Sequence, residues 1–222
     1  TAQNIIIGTH SSFYPSVDFV VWLDSPNGAN DPHTVGDTAF QTIMPLTLRG
    51  TYSVGGLNPD FSTLSDAVNL LNVYGICDDV VLNIRSGSYT EKFYFDSIPS
   101  PNPLNTVTIQ SEANNADSVH FYYLPGAFVT YNFMEFDSTR NVTVKDLSFH
   151  FDDAGYYEEL IYIQNGARNL LFEGLHLDLS DSGYANNETG KTGFFVFGNG
   201  GSLNRPCNDL VFRGNTIEYG AY

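Results

Sequence analysis

Asn141-Val142-Thr143-Val144-Lys145-Asp146-Leu147-Ser148-Phe149 decides the reading of this chain, because it recurs. Asn169-Leu170-Leu171-Phe172-Glu173-Gly174-Leu175-His176-Leu177 follows 28 residues later, and Asp209-Leu210-Val211-Phe212-Arg213-Gly214-Asn215-Thr216-Ile217 a further 40 on. In each copy apolar side chains fall at every second position, as at Val142/Leu170/Leu210 and Val144/Phe172/Phe212. That two-residue period marks a strand with one buried face. A residue that tolerates left-handed backbone then interrupts the strand (Asp146, Gly174, Gly214). Alternation resumes with Phe149/Leu177/Ile217.

A third strand lies between the copies: 133–136, then 160–163, then 194–197. Three short strands per repeat, with variable insertions at one corner, is the pattern of a solenoid whose coils stack. The expected fold is all-β, a right-handed parallel β-helix running through residues 50–222. Coils stacked at about 4.8 Å turn the inward rows into one apolar column. At roughly 2 kcal/mol per buried large apolar side chain, that column is the main stabilising term.

Nine basic residues stand against 25 acidic ones, a formal charge of -16 spread along the chain. Phosphate binding needs clustered Lys and Arg, so nucleic acid is not an expected partner. The charge reads first as solubility and second as a field for calcium or a cationic partner. No run approaches the roughly 18 apolar residues of a membrane span. The sequence starts without Met or signal peptide and stops just after a strand pair, so it reads as part of a longer chain. Cys77 and Cys207 precede the first strands of the first and last coils. Four rungs put them about 19 Å apart, beyond the roughly 7 Å a disulfide allows, and they read as small buried thiols.

Residues 1–49 hold three strand-like runs, at 4–7, 17–23 and 38–43, which is too few to close a sandwich. They resemble the C-terminal part of the immunoglobulin-like modules of bacterial surface proteins. Asp24, Asp31 and Asp37 in the connecting loop are weak Ca²⁺ candidates, because they lack alternating D-x-D spacing. Turn chemistry explains that loop better. After a linker and lead-in strand comes a helix at about 62–74, with Ser62 as N-cap, Leu64, Val68 and Leu71 on one face, and Gly75 as stop. It is expected to cap the solenoid.

Asp60-Phe61-Ser62-Thr63-Leu64-Ser65-Asp66-Ala67-Val68 and Val81-Leu82-Asn83-Ile84-Arg85-Ser86-Gly87-Ser88-Tyr89-Thr90-Glu91 resemble the opening of pectin methylesterases and of the wider pectate-lyase-like superfamily. Gly50-Thr51-Tyr52-Ser53-Val54-Gly55-Gly56, leading from the immunoglobulin-like unit into the helix, resembles β-helix modules of large secreted Bacteroidota proteins, many exported by the type IX system. The resemblance covers most of the chain and is specific for fold. Phe195-Val196-Phe197-Gly198-Asn199 is similar to a pectin methylesterase run that follows a catalytic aspartate, and Phe194 stands in that place. Ester hydrolysis by that route is therefore not expected.

Outward positions give three candidate sites. Lys145, Glu173 and Arg213 stack on successive rungs and read as a structural charge ladder. His150, His176, Asp178 and Glu218 fall on two adjacent outward columns, Ser148/His176/Thr216 and His150/Asp178/Glu218. Imidazole beside carboxylate can bind a divalent metal or move protons, although ordinary solvent-facing polarity is the preferred reading. Two insertions leave one corner of consecutive coils, carrying Asp153, Tyr156 and Tyr157, then Tyr184 and Asn186. Tyr faces beside Asp and Asn suit sugar rings, and equally suit shielding of the corner.

The expectation is a non-catalytic β-helix module of a secreted, cell-surface protein, adhesin-like or stalk-like. Its expected partners are glycan or a neighbouring surface protein. No cofactor is required, and Ca²⁺ stays a candidate. The rival is a polysaccharide lyase or glycoside hydrolase using His150, His176, Asp178 and Glu218.

Overall fold

A computed structural model describes residues 17–22, 38–43, 47–100, 102–122, 132–150, 158–179, 191–197 and 205–218. The chain divides into two compact units, Thr1–Leu46 and Thr47–Tyr222. In the first, β1 (Val17–Trp22) pairs antiparallel with β2 (Thr38–Ile43), Val17 opposite Ile43. The run at 4–7 and the loop bearing Asp24, Asp31 and Asp37 lie outside the described residues.

The second unit opens with β3 (Leu48–Val54) and α1 (Leu64–Tyr74). Leu48 lies opposite Ile76, where the parallel pairing of β3 begins. Thr63, not Ser62, is the N-cap of α1: its side chain accepts from the Asp66 amide at 3.1 Å. The Glu91 carboxylate reaches the same end, accepting from the Ser65 amide at 2.8 Å and the Ser65 hydroxyl at 2.9 Å. It supplies negative charge where the helix dipole is positive. Gly75, at φ 70°, stops the helix, its N–H donating to the Leu71 carbonyl. Leu64, Ala67, Val68 and Leu71 are buried, and the helix packs against β3 and β6 (Phe93–Phe95).

From there the chain makes repeated passes. The first is β4 (Ile76–Ile84), β5 (Gly87–Thr90) and β6. The second is β7 (Val107–Ser111), β8 (Val119–Tyr122) and β9 (Asn132–Asp137). The third is β10 (Arg140–Lys145), β11 (Ser148–His150) and β12 (Glu158–Gln164). The fourth is β13 (Arg168–Glu173), β14 (His176–Asp178) and β15 (Lys191–Phe197), and β16 (Asn208–Arg213) and β17 (Thr216–Glu218) follow. Strands of like position pair in parallel, giving a first sheet β16-β13-β10-β7-β4-β3, a second β17-β14-β11-β8-β5 and a third β15-β12-β9-β6. The described part of this unit is thus mostly β, in parallel sheets, with one α-helix.

The register reproduces the sequence alignment: Val142, Leu170 and Leu210 lie opposite one another, as do Val144, Phe172 and Phe212. Their buried members join Phe121, Phe149, Phe133, Phe93, Phe136 and Phe95 in an aromatic core. Phe121 and Phe149 stack at 5.3 Å, Phe95 and Phe136 at 4.7 Å. The corners behave as the sequence requires, with Asp146 at φ 56°, Gly174 at 62° and Gly214 at 63°. A second set of left-handed residues falls at the second position of first-sheet strands, at Asn141, Asn169 and Asp209. There Asn169 Nδ2 donates to Asn141 Oδ1 at 2.7 Å, and Asn141 Nδ2 to the Pro103 carbonyl at 2.7 Å.

Both cysteines are free, but Cys77 is exposed and Cys207 intermediate, so neither is the buried thiol expected. Cys77 sits within β4 next to inward-facing Ile76, and strand alternation turns it outward. No described helix is long and apolar enough to cross a membrane.

Candidate functional site

The second sheet carries the ionisable side chains that the sequence singles out. Its central column, Tyr89, Phe121, Phe149, Leu177 and Ile217, faces the core. On either side run Ser88, His120, Ser148, His176 and Thr216, and Thr90, Tyr122, His150, Asp178 and Glu218. His150, His176, Asp178 and Glu218 do share one face. His120 and Tyr122, which the sequence reading did not align, belong to it as well.

His150 is the centre of the group. Its Nδ1 lies 3.2 Å from Asp178 Oδ2 and its Nε2 3.0 Å from His120 Nδ1. His120 Nε2 in turn lies 2.8 Å from the Asp117 carbonyl. The Tyr122 ring stacks on His150 at 4.8 Å and 15°. His176 stands edge-on to His150 at 6.2 Å, and its Nε2 lies 3.6 Å from Glu218 Oε2, an ion-pair distance longer than a hydrogen bond. Side-chain exposure is only 18% for His150 and 22% for Asp178, against 48% for Glu218, so the row is half-sunk while its flank is open.

Hydrogen-bond accounting gives the number of protons that the three contacts of this row need. The Asp117 carbonyl can only accept, so His120 Nε2 donates. If His150 Nδ1 donates to an ionised Asp178, the two remaining ring nitrogens face each other at 3.0 Å with a lone pair each. One further proton makes that contact a hydrogen bond. Hydrogen bonding at all three contacts thus takes three protons, one more than two neutral imidazoles and a carboxylate supply. Asp178 orients His150, His150 can exchange a proton with His120, and the carbonyl closes the far end. Both nitrogens of His150 are engaged, so it reaches a substrate only if the row opens.

Ser148 departs from expectation. Placed outward with His176 and Thr216, it is fully buried, its hydroxyl donating to the Ala116 carbonyl at 2.9 Å. The short 3-10 turn Ala116–Ser118, in the corner before β8, covers it. Among the described residues no three His, Cys, Asp or Glu side chains are grouped to hold a metal ion.

The other candidates fare differently. On the first sheet Lys145, Glu173 and Arg213 lie opposite one another, and Arg213 grips Glu173 with Nε–Oε1 at 2.9 Å and an Nη2–Oε2 contact at 2.8 Å. Hydrogen bonding from Arg213 lowers the Glu173 pKa, and the same bond raises that of Arg213. A groove of about 350 Å³ on this sheet is lined by Asn141, Thr143, Asn169, Leu171, Val211 and Arg213, among others. Phe194 packs between Phe172 (5.3 Å) and Phe212 (4.5 Å), so core packing occupies the place where the resemblance would put an aspartate. Asp153, Tyr156, Tyr157, Tyr184 and Asn186 lie outside the described residues. No family model, curated protein or solved structure matches this chain.

Proposed function

We propose that residues 50–222 form a right-handed parallel β-helix of the pectate-lyase-like kind, serving as a non-catalytic, rigid module of a large secreted cell-surface protein. The observation that carries this reading is the in-register stacking of three parallel sheets on one aromatic core, an architecture suited to holding length and spacing. The closed hydrogen-bond row on the second sheet supports it, since both nitrogens of His150 are engaged. Glycan held at Tyr156, Tyr157 and Tyr184 belongs to the same proposal. The test is release of reducing ends and of unsaturated products from acidic and neutral polysaccharides, with and without Ca²⁺. The account expects no product.

A polysaccharide lyase or hydrolase is the second reading, and the Asp178–His150–His120 row favours it as a proton-transfer unit. Product release that disappears in His150→Ala and Asp178→Ala, with folding intact, would replace the first reading by this one. Product release that both variants retain would place catalysis elsewhere.

A further inference from the structure

We propose that the outward face of the third sheet binds an arginine side chain presented by a peptide segment of a partner protein. The inference rests on the register of β6, β9, β12 and β15 and does not depend on the function proposed above. Inward positions of these strands, Phe93, Phe95, Met134, Phe136, Ile161 and Ile163, are buried. The alternate positions form two outward columns. One reads Tyr94, Glu135, Tyr162, Phe195, and the other Asp137, Gln164, Phe197.

The two carboxylates are held in place without being neutralised. Glu135 accepts from Asn132 Nδ2 at 2.8 Å and from Gln164 Nε2 at 2.6 Å. Asp137 accepts from Asn165 Nδ2 at 2.8 Å, Ser138 Oγ at 2.9 Å, Gln164 Nε2 at 3.3 Å and Tyr94 Oη at 3.4 Å. Every one of these donors is uncharged. They fix the oxygens and add no positive charge. Among the described residues no ion pair involves Glu135 or Asp137. Lys92 lies within electrostatic reach of Glu135, but one lysine set against Glu135, Asp137 and Asp96 leaves this face net negative. The field is felt by Tyr94, whose pKa is pushed up to about 12 by burial first and then by Asp137, Asp96 and Glu135.

Aromatic rings flank the carboxylates. Tyr94 lies one strand before Glu135 and Tyr162 one strand after, each about 4.8 Å away along the stack. Beyond Tyr162, Phe195 stacks on it at 5.5 Å and 8°, and Phe197 lies 6.2 Å from Phe195. Tyr94 is 44% exposed and Phe197 39%. A cation seated over Glu135 and Asp137 thus meets ring faces within the roughly 6 Å range of cation–π attraction. Guanidinium fits better than ammonium: it is planar, weakly hydrated, stacks on rings and forks toward carboxylates. The chain's net charge of -16 draws such a partner in.

The test is calorimetric titration of the full chain, at about 0.15 M salt, with a short peptide bearing one arginine and with its citrulline and lysine counterparts. The arginine peptide should bind and the other two should bind far more weakly. Glu135→Gln and Tyr94→Ala should each weaken binding by about tenfold, Tyr94 lying one strand from Glu135. Glu112→Gln, which removes a negative charge beside Arg85, should change affinity by less than about twofold in this salt. Glu135→Gln keeps an acceptor for Gln164 Nε2 and offers an amide N–H toward Asn132, whose buried Oδ1 has no partner. Its fold is checked by circular dichroism. Absence of arginine-peptide binding, equal binding of citrulline or lysine, or equal weakening by Glu112→Gln would overturn the proposal.

Discussion

On the second sheet His150 meets Asp178 at 3.2 Å and His120 at 3.0 Å, while on the third Glu135 and Asp137 meet amides and hydroxyls alone. Both faces stand on equally regular parallel strands. They differ in what occupies the neighbouring outward positions. Where imidazole and carboxylate fall side by side, ionisable groups satisfy one another and the network closes. Where Gln, Asn and Tyr surround carboxylates, the oxygens are ordered but their charge is left for something else to meet. An ionisable cluster is thus a better ligand candidate when its hydrogen-bond donors are neutral than when they are charged.

The baseline for that comparison is the core beneath both faces. Phe149→Ala removes a ring stacked on Phe121 and edge-on to Phe133 at 5.4 Å, and should cost about 3–5 kcal/mol in denaturant unfolding. Breaking the closed face comes next. His150→Ala strips partners from both His120 and Asp178 and should cost about 1–3 kcal/mol. A loss as small as that of an ordinary exposed position would show that the row is not closed. On the open face Glu135→Gln should cost less than about 1 kcal/mol, because Gln164 keeps an oxygen to bond and the new amide N–H can meet the partnerless Asn132 Oδ1.

Alkaline titration sharpens the contrast. Tyr94 is raised from 10.0 to about 12 in the folded chain, so the fold favours its neutral phenol. Its contribution is complete below pH 10 and falls away as pH rises toward 12. The stability difference between the parent and Tyr94→Phe should shrink across that window, and a constant difference would count against the carboxylate field. The smallest effect is expected from Arg213→Ala. Its pair with Glu173 is solvent-exposed, and unfolding midpoints should hardly move in ordinary salt.

Much of the strand layout was legible because two signals coincide: alternating apolar residues from Val142 to Phe149, and a Gly or Asp where the backbone turns left-handed. Together they forbid a one-residue slip, which would turn Val142 and Val144 outward. His120 was not legible by the same route. Val107 lies opposite Val142, 35 residues on, whereas His120 lies opposite Ser148, only 28 on. The Asn/Asp corner between β7 and β8 is longer by the difference, so one offset cannot align both sheets. Ser148 was misplaced because alternation predicts direction, not cover, and the 3-10 turn that buries it comes from the preceding pass. The third-sheet carboxylates escaped notice because Glu135 and Asp137 look like ordinary polar positions. Only the register reveals Tyr94 on one side and Tyr162 on the other.

The parallel register underlies every part of this account, and cysteine cross-linking tests it most directly. In a chain with Cys77 and Cys207 replaced by Ser, Thr143→Cys paired with Leu171→Cys places thiols on directly opposed residues of β10 and β13. Mild oxidation should join them, since opposed strand neighbours fall within the roughly 4.4–6.8 Å Cα separation that a disulfide accepts. Thr143→Cys paired with Leu170→Cys, one residue out of step and on the other face, should stay reduced. Cross-linking of the shifted pair in preference to the opposed one would contradict the register, and with it both the closed row on the second sheet and the arginine site on the third.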